Sequence, residues 1–500
     1  MKKVVSFLIL LVFFIGCTPA VPASSSFNSA GENAPILPAS QAITPASEVS
    51  VESSVVPSSE ESSAEPQSEE KSSVTESSKA VSSEPEQSEE TKSSETVSSK
   101  PEASSEPVSS AAASTASSIP ETSSEQTVLP VTELSELRGV WISFYELSDI
   151  TDYNEYKTRI DTMFDTAKAI GFNAVFFHVH AFGDAMYPSQ IFPFTHRIGY
   201  QTPNGDPIQG VDPGYDPLAY AVSAAHQRGL QLHAWWNPYR IWTLSDDIEA
   251  LSVDNPAYIF WNDDDTANDN YVLSTGKGLY YNPAEQGVRD LLTAGIAEML
   301  DHYAVDGVHF DDYFYPTTDA DFDEDSYDAY RHDGGLLSLA DWRRENVDKL
   351  LLQVHELCAS KGVPFGVSPA GNIDRVFNNM YADIMLWGSS YGYVDYLCPQ
   401  IYWGFDHDTM PFLGVLNDWL GIVTNPSVKL YIGLPAYKLG ETDSGAGSGK
   451  YEFKTDTEII KRMVLATRET NCDGFIVYSY TAMADSANIE ERDALRELLE

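Results

Sequence analysis

From Leu137 onward the chain alternates short β-branched or aromatic runs with longer amphipathic stretches, and it does so eight times. Short apolar runs bounded by turn residues read as buried strands, and the stretches between them as helices. The strand runs are Gly139–Phe144, Asn173–Val179, Leu230–Trp236, Gly307–Asp311, Pro364–Val367, Tyr396–Tyr402, Lys429–Leu434 and Gly474–Ser479. The helical stretches include Tyr156–Ile170, Pro217–Arg228, Val288–Tyr303 and Trp342–Ser360. Gly171, Gly229 and Gly362 stand between a helix and the next strand, the usual mark of a helix C-terminus. Such alternation calls for a parallel sheet, because parallel neighbours are joined through crossovers. Eight units within residues 135–500 predict an α/β fold, a (β/α)8 TIM barrel with enlarged loops. An open doubly wound sheet competes with it, but no Gly-rich phosphate loop follows the first strand.

A barrel of this kind places its chemistry at the C-terminal ends of the strands. The two largest predicted insertions, Ile241–Gly278 and Thr317–Ala340, open on that face. The fourth strand runs Asp306-Gly307-Val308-His309-Phe310-Asp311-Asp312-Tyr313. Strand alternation sends His309 and Asp311 one way and Asp312 the other unless the backbone turns after Asp311. Two adjacent carboxyls at a barrel mouth repel, and the repulsion raises the pKa of one, which suits general acid work. The plainer reading is that one of them caps a helix or holds a loop arginine. Asp374, in the loop after the fifth strand, is a third candidate carboxyl.

Other strand ends collect aromatic, amide and basic residues. The second ends His178-Val179-His180, with Asp184 close behind; the third runs on through Trp236, Asn237, Tyr239 and Arg240; the sixth through Gln400, Tyr402 and Trp403. Rings that stack on pyranose faces, with polar groups for the hydroxyls, are what a sugar site requires. With Tyr313, these give His180, Asp184, Trp236, Asn237, Tyr239, Arg240, Tyr313, Gln400, Tyr402 and Trp403 as substrate-binding candidates. Taken singly, each ring is as well explained by the core.

The N-terminal third is of another kind. Lys2 and Lys3 precede an apolar run, Val4–Ile15, of 12 residues, short of the roughly 20 that span a bilayer. Residues 1–16 therefore read as a signal peptide, and Phe14-Ile15-Gly16-Cys17 resembles a bacterial lipobox with Cys17 as the lipidated residue. Phenylalanine stands where leucine is usual. Residues 17–130 are dominated by Ser, Glu, Pro, Ala, Thr and Val, with 18 glutamates against four lysines. Such a segment buries too little apolar surface to offset its ordering entropy, so an extended acidic stalk is expected. The formal net charge of the whole chain is −45. That charge argues against nucleic acid, which binds through Lys and Arg, and against anionic lipid as the main ligand; a neutral or mixed-charge polymer fits better, with the membrane reached through the lipid anchor only. Beyond Cys17, Cys358, Cys398 and Cys472 are too few and too scattered for a disulfide framework or a zinc site. They read as small apolar residues, and no cofactor is expected.

Several segments together resemble the glycosyl-hydrolase-like family ten. They are Leu137–Trp141, Gly183–Tyr187, His233–Arg240, Tyr281-Asn282-Pro283 with Val288-Arg289-Asp290, Val305–Pro316, Phe365–Pro369, and Asp395-Tyr396 with Pro399–Trp403. They cover the barrel in order. The resemblance implies a TIM-barrel hydrolase of glycans, and a branch of the family is thought to act on peptidoglycan strands stripped of their peptides. One departure stands out: the family's usual Gln-Val-Arg-Pro at the second strand end is His178-Val179-His180-Ala181 here. The arginine that would meet an anionic sugar substituent is thus missing from that position.

Glycoside hydrolysis normally takes two carboxyls. Asp311 is expected as nucleophile or as stabiliser of the oxocarbenium-like transition state, with Asp312 or Asp374 as the acid. Two other classes compete. A non-catalytic glycan-binding barrel needs no strained carboxylate pair. A metal-dependent hydrolase of the amidohydrolase kind would use His178 and His180 as i, i+2 ligands on one strand, but no further histidine ends the fifth or sixth strand. The expected product is a lipid-anchored hydrolase outside the cell, acting on a cell-wall or other extracellular glycan.

Overall fold

The computed structural model describes residues 134–500, apart from 149, 151, 199–207 and 244. The signal peptide, Cys17 and the acidic segment to residue 130 lie outside the described residues. All eight predicted strands are present: β1 Leu137–Ile142, β2 Ala174–His180, β3 Gln231–Trp236, β4 Gly307–Phe310, β5 Phe365–Val367, β6 Tyr396–Leu397, β7 Lys429–Leu434 and β8 Gly474–Val477. Every neighbouring pair is parallel, and Leu137–Val140 of β1 pairs with Gly474–Val477 of β8 to close the barrel. The crossovers are α1 Tyr153–Ile170, α2 Pro217–Gln227, α3 Gln286–His302, α4 Leu339–Lys361, α5 Ile384–Ser389, α6 Phe412–Ile422, α7 Ile459–Arg468 and α8 Ile489–Leu499.

Local chemistry sets the helix ends. Asp152 accepts hydrogen bonds from the Asn154 and Glu155 N–H groups to start α1, and Gly171 ends it at φ 106°. Between them Tyr156, Ile160, Met163, Phe164, Ala167 and Ile170 form one apolar stripe that packs on the sheet. Among the described residues no helix is long and apolar enough to cross a membrane.

Two strands differ most from the sequence reading. β1 begins two residues early, at Leu137, and the chain turns at Ser143, whose N–H donates to the Glu146 carboxylate at 2.9 Å. β6 stops at Leu397 because Pro399 has no N–H to offer the ladder, so the Gln400 backbone pairs with its neighbours as isolated bridges to Ala370 and Gly433.

The barrel has two apolar cores. The larger lies between strands and helices; the smaller fills the bore with Trp141, Phe176, Trp235, Tyr396, Tyr431 and Ile476. Small residues make room for these rings: a Cβ at Gly139 would stand 2.7 Å from Phe176, and one at Gly366 2.2 Å from Tyr396. Cys358 and Cys398 are buried, Cys472 is partly so, and all three are free thiols.

The insertion after β3 carries a three-stranded antiparallel sheet, with Leu279–Tyr281 between Arg240–Trp242 and Val272–Ser274. That after β4 carries a 3-10 turn, Ala320–Asp323, and a helix, Glu324–His332. A buried ion pair ties the second insertion to α4. Arg343 Nε lies 3.1 Å from both Asp323 carboxylate oxygens, its other nitrogens donate to Tyr381 Oη and the Asp319 carbonyl, and both charged side chains are fully buried. Removing one partner strands the other charge. Asp323→Ala is expected to cost about 3–5 kcal/mol in urea unfolding, and Asp323→Leu with Arg343→Met far less. A loss below about 1 kcal/mol for Asp323→Ala would show that the pair is not a structural tie.

Candidate active site at the barrel mouth

The floor of the mouth is a locked histidine. The Trp141 Nε1–H donates to His309 Nε2 at 3.2 Å, and His309 Nδ1 lies 3.0 Å from Tyr396 Oη. Indole N–H is only a donor, so Nε2 accepts and the ring proton sits on Nδ1, facing the tyrosine oxygen. Burial pushes the His309 pKa well down, which keeps the ring neutral. Asp311 stands two residues further along β4 and faces the same way.

The backbone does turn after Asp311, and the two carboxyls meet. The Asp312 N–H donates to Asp311 Oδ1 at 2.7 Å. Gln400 Nε2 donates to the same oxygen at 3.2 Å and to the Ser368 carbonyl at 3.1 Å, so it holds Asp311 from across the barrel. Asp312 is buried, and its carboxyl is hydrogen-bonded to that of Asp311. Burial first, then the neighbouring Asp311 charge, push the Asp312 pKa well above the usual carboxylate range; the Arg375 charge opposes them. The pair therefore retains a proton where separate aspartates would have lost theirs. Asp374 is exposed in the first turn of the short helix Ile373–Asn379, and it is the adjacent Arg375 whose charge reaches Asp312.

Aromatic rings surround the pair. Tyr402 stacks on Tyr478 at 6.2 Å, and Tyr437 meets both edge-on at 5.5 and 5.7 Å. Trp403 is half-buried over Gly371, where a Cβ would come within 2.6 Å of its ring. Tyr313 is 48% exposed, with the Arg240 guanidinium 5.3 Å from its ring centre. Tyr437 and Tyr478 were not singled out from the sequence, although Tyr478 lies two residues past the inward Ile476 and so faces the bore by alternation.

The residues after β2 and β3 behave differently from expectation. Trp236 and Tyr239 are fully buried and offer no ring face to a sugar. A register shift in β2 between His178 and His180 separates the two histidines: His178 stacks on Trp235 at 3.9 Å and His180 on Trp236 at 4.3 Å. Trp235 and Trp236 are consecutive on β3 and point to opposite faces, so the i, i+2 pairing expected of metal ligands is lost. Among the described residues no three His, Cys, Asp or Glu side chains gather as a metal set. Burial pushes the His180 pKa down to about 4. Asp184 serves the loop: its Oδ1 accepts from the Ala181 and Phe182 N–H groups at 3.3 and 3.0 Å, and its Oδ2 is 3.4 Å from His196 Nδ1. Burial works against that charge, but His196 holds the Asp184 pKa below the usual range. Asn237 is buried, its N–H donating to the His180 carbonyl at 2.8 Å.

A closed eight-stranded barrel with a carboxyl pair in a ring of aromatics at its C-terminal mouth is a glycoside-hydrolase-type barrel. The family model described as glycosyl hydrolase-like 10 matches residues 136–446, more than half of the chain, and the chain belongs to that family. Glycosyl hydrolase YngK of Bacillus subtilis (strain 168) is 34% identical over 355 residues, 66% of this chain and 66% of that protein. The chain thus spans just under two thirds of that relative. Glycosyl hydrolase DigH of Escherichia coli (strain K12) is 32% identical over 360 residues, 65% of this chain and 77% of that protein. Among solved structures, the PgaB (BpsB) glycoside hydrolase domain from Bordetella bronchiseptica aligns over 73% of this chain and 99% of its own, at 14% identity and a TM-score of 0.48.

The carboxyl pair has a cost that can be measured. The folded state holds the Asp312 proton more tightly than the unfolded chain does. The stability this contributes is lost as pH rises from the ordinary aspartate range through the raised value. Asp312→Asn removes that loss. The variant is expected to gain about 1 kcal/mol or more over wild type between about pH 4 and about pH 8 in denaturant unfolding. A difference that does not change with pH would mean that the Asp312 carboxyl is not held protonated.

Proposed function

We propose that this protein is a cell-surface glycoside hydrolase that cleaves a cell-wall glycan, with peptide-free peptidoglycan strands as the favoured substrate. The observation that carries the reading is the Asp311–Asp312 pair, in which burial and like charge keep a proton on Asp312. In this reading Asp312 gives its proton to the glycosidic oxygen as the bond to the anomeric carbon breaks. Asp311, fixed by Gln400, stabilises the developing oxocarbenium charge. It acts as stabiliser rather than nucleophile, because two carboxyls in hydrogen-bond contact are much closer than the roughly 5–5.5 Å between acid and nucleophile in retaining enzymes. A water adds at the anomeric carbon, and its proton returns the pair to its starting charge. Tyr402, Tyr313 and Trp403 supply the ring faces for the sugars.

The full chain would be incubated with purified peptidoglycan, peptide-free glycan strands and neutral polysaccharides, and soluble sugars read by mass spectrometry. Asp311→Asn and Asp312→Asn are each expected to lose about 10²–10⁴-fold in activity. Wild-type activity should fall as pH rises through the elevated Asp312 pKa, since the acid must carry its proton. Equal release by wild type and Asp311→Asn would take that residue out of the mechanism. Binding without release from any polymer would leave a glycan-binding barrel.

The N-terminal residues support a site of action outside the cell. Lys2, Lys3, the apolar run and Cys17 support export and lipidation, and the acidic Ser/Glu/Pro-rich stalk supports reach into a wall. Cys17→Ser is expected to move the protein from the membrane fraction to the medium; membrane retention by that variant would refute the anchor.

A further inference from the structure

A cavity of about 410 Å³ lies at the end of the barrel opposite the carboxyl pair. The first residues of β1, β3, β6 and β7, namely Leu137, Gln231, Tyr396 and Lys429, line it together with His233 and Tyr431. It therefore sits beneath the bore, at the N-terminal ends of the strands, a face that serves stability rather than chemistry in barrels of this class. Its size is that of a ligand cavity, roughly 300–1,000 Å³, and more of its wall is apolar than polar. The polar groups of that wall are largely met from within the fold. His233 Nε2 lies 3.2 Å from Gln231 Oε1, and its Nδ1 packs on Gly307, where a Cβ would stand 2.1 Å away. The Asp395 carboxylate accepts from the Phe365 N–H at 2.8 Å and lies 3.3 Å from His355 Nε2. Such a wall suits an apolar occupant.

The chain enters the barrel through this cavity. Leu134, the first described residue, lines it and packs against the bore cluster that holds Trp141, Phe176 and Tyr396. Just upstream runs Val128-Leu129-Pro130-Val131. Between residues 44 and 127 the chain holds no leucine, phenylalanine, tyrosine or tryptophan, and Leu129 is the first leucine after Leu37. An apolar run of this kind is out of place in a purely solvated linker. Pro130 fixes one φ in advance, so less entropy is lost when the run is held. Only Thr132 and Glu133 separate the run from Leu134. An extended chain covers at most about 3.6 Å per residue, which puts Val131 within roughly 11 Å of Leu134 and Val128 within roughly 22 Å. So short a tether holds the run at an effective concentration of millimolar order. A second copy or a free ligand, at far lower concentration, competes poorly with it.

We propose that the run Val128–Val131 seats in the floor cavity and plugs the bore from below, so that the folded unit begins near residue 126. The stalk then joins the barrel at the end opposite the carboxyl pair. Seating removes the apolar surface of the run and that of the cavity wall from water together. It also braces the start of β1, the strand that closes the barrel against β8. The inference stands apart from the glycan reading: the plug holds or fails whatever the mouth acts on.

Glutamyl endopeptidase tests this on the full chain, because Glu125 and Glu133 flank the run. The next glutamate, Glu136, is paired with Arg468 at 2.7 Å and marks the barrel side. A protease needs a segment free of the fold, so a seated run shields Glu133 and leaves Glu125 open. Digestion of the folded protein is expected to leave a core that begins at Gln126 by mass spectrometry. Cutting after Glu133 should be at least about tenfold slower than after Glu125. Leu129→Ser, and on the cavity rim Ser427→Arg, should each speed the cut after Glu133 by about tenfold and move the core start to Leu134. Ser427 is exposed; should its variant lose the cooperative melting transition, Ala359→Arg at the same rim takes its place. A wild-type core that begins at Leu134 would overturn the plug. So would shielding of Glu133 that survives Leu129→Ser or the rim substitution. Shielding that fades on about hundredfold dilution would give the cavity to the run of a second copy, and would overturn the plug as well.

Discussion

Pairing β1 with β8 closes the sheet, and it leaves the inward side chains of eight strands to share one narrow bore. Each must then be matched to its neighbours in size and polarity. Gly139 and Gly366 yield space to Phe176 and Tyr396. His309, which is fully buried, is met on one nitrogen by Trp141 and on the other by Tyr396. That triad is rigid because every member is both packed and hydrogen-bonded. Asp311 stands on it, and the position of the Asp311–Asp312 pair is thereby inherited from the filling of the barrel rather than from any loop.

Above the bore the rules of packing give way to those of charge. A carboxyl pair in a buried place costs stability, and the protein supports it with Gln400 on one side and the Arg375 charge on the other. The support is incomplete, which is why a proton stays. Near that acidic corner, Arg240 and Arg197 lie over Phe144 and Phe182.

Much of this was legible before any coordinates. Periodicity and helix-end glycines located the strands, since buried parallel strands are short apolar runs and helices here end where φ turns positive, as at Gly171 and Gly362. The positions of Asp311 and Gln400 at the barrel mouth were legible because each follows a short apolar run that had to be a strand. Trp236 and Tyr239 misled, because a ring at a strand end points inward, outward or under an insertion according to contacts that one strand cannot reveal. His178 and His180 show a related limit: an i, i+2 spacing implies a shared face only where the strand is regular, and β2 shifts register between them. The meeting of Phe144 with Phe182 and Arg197 went unnoticed because it joins the loop after β1 to the loop after β2.

By itself, then, the sequence determined the barrel and put Asp311 and Asp312 at the end of its fourth strand, for these follow from local periodicity and from the order of residues along the strands. Only the tertiary structure decided the rest. It joined the Asp312 carboxyl to that of Asp311, put Trp236 in the core, parted the two histidines and laid Arg240 against the Phe182 ring. Each of these depends on what lies across the barrel or under an insertion, and the energy of burying a charge or a ring is set by those distant neighbours, which no local window of sequence contains.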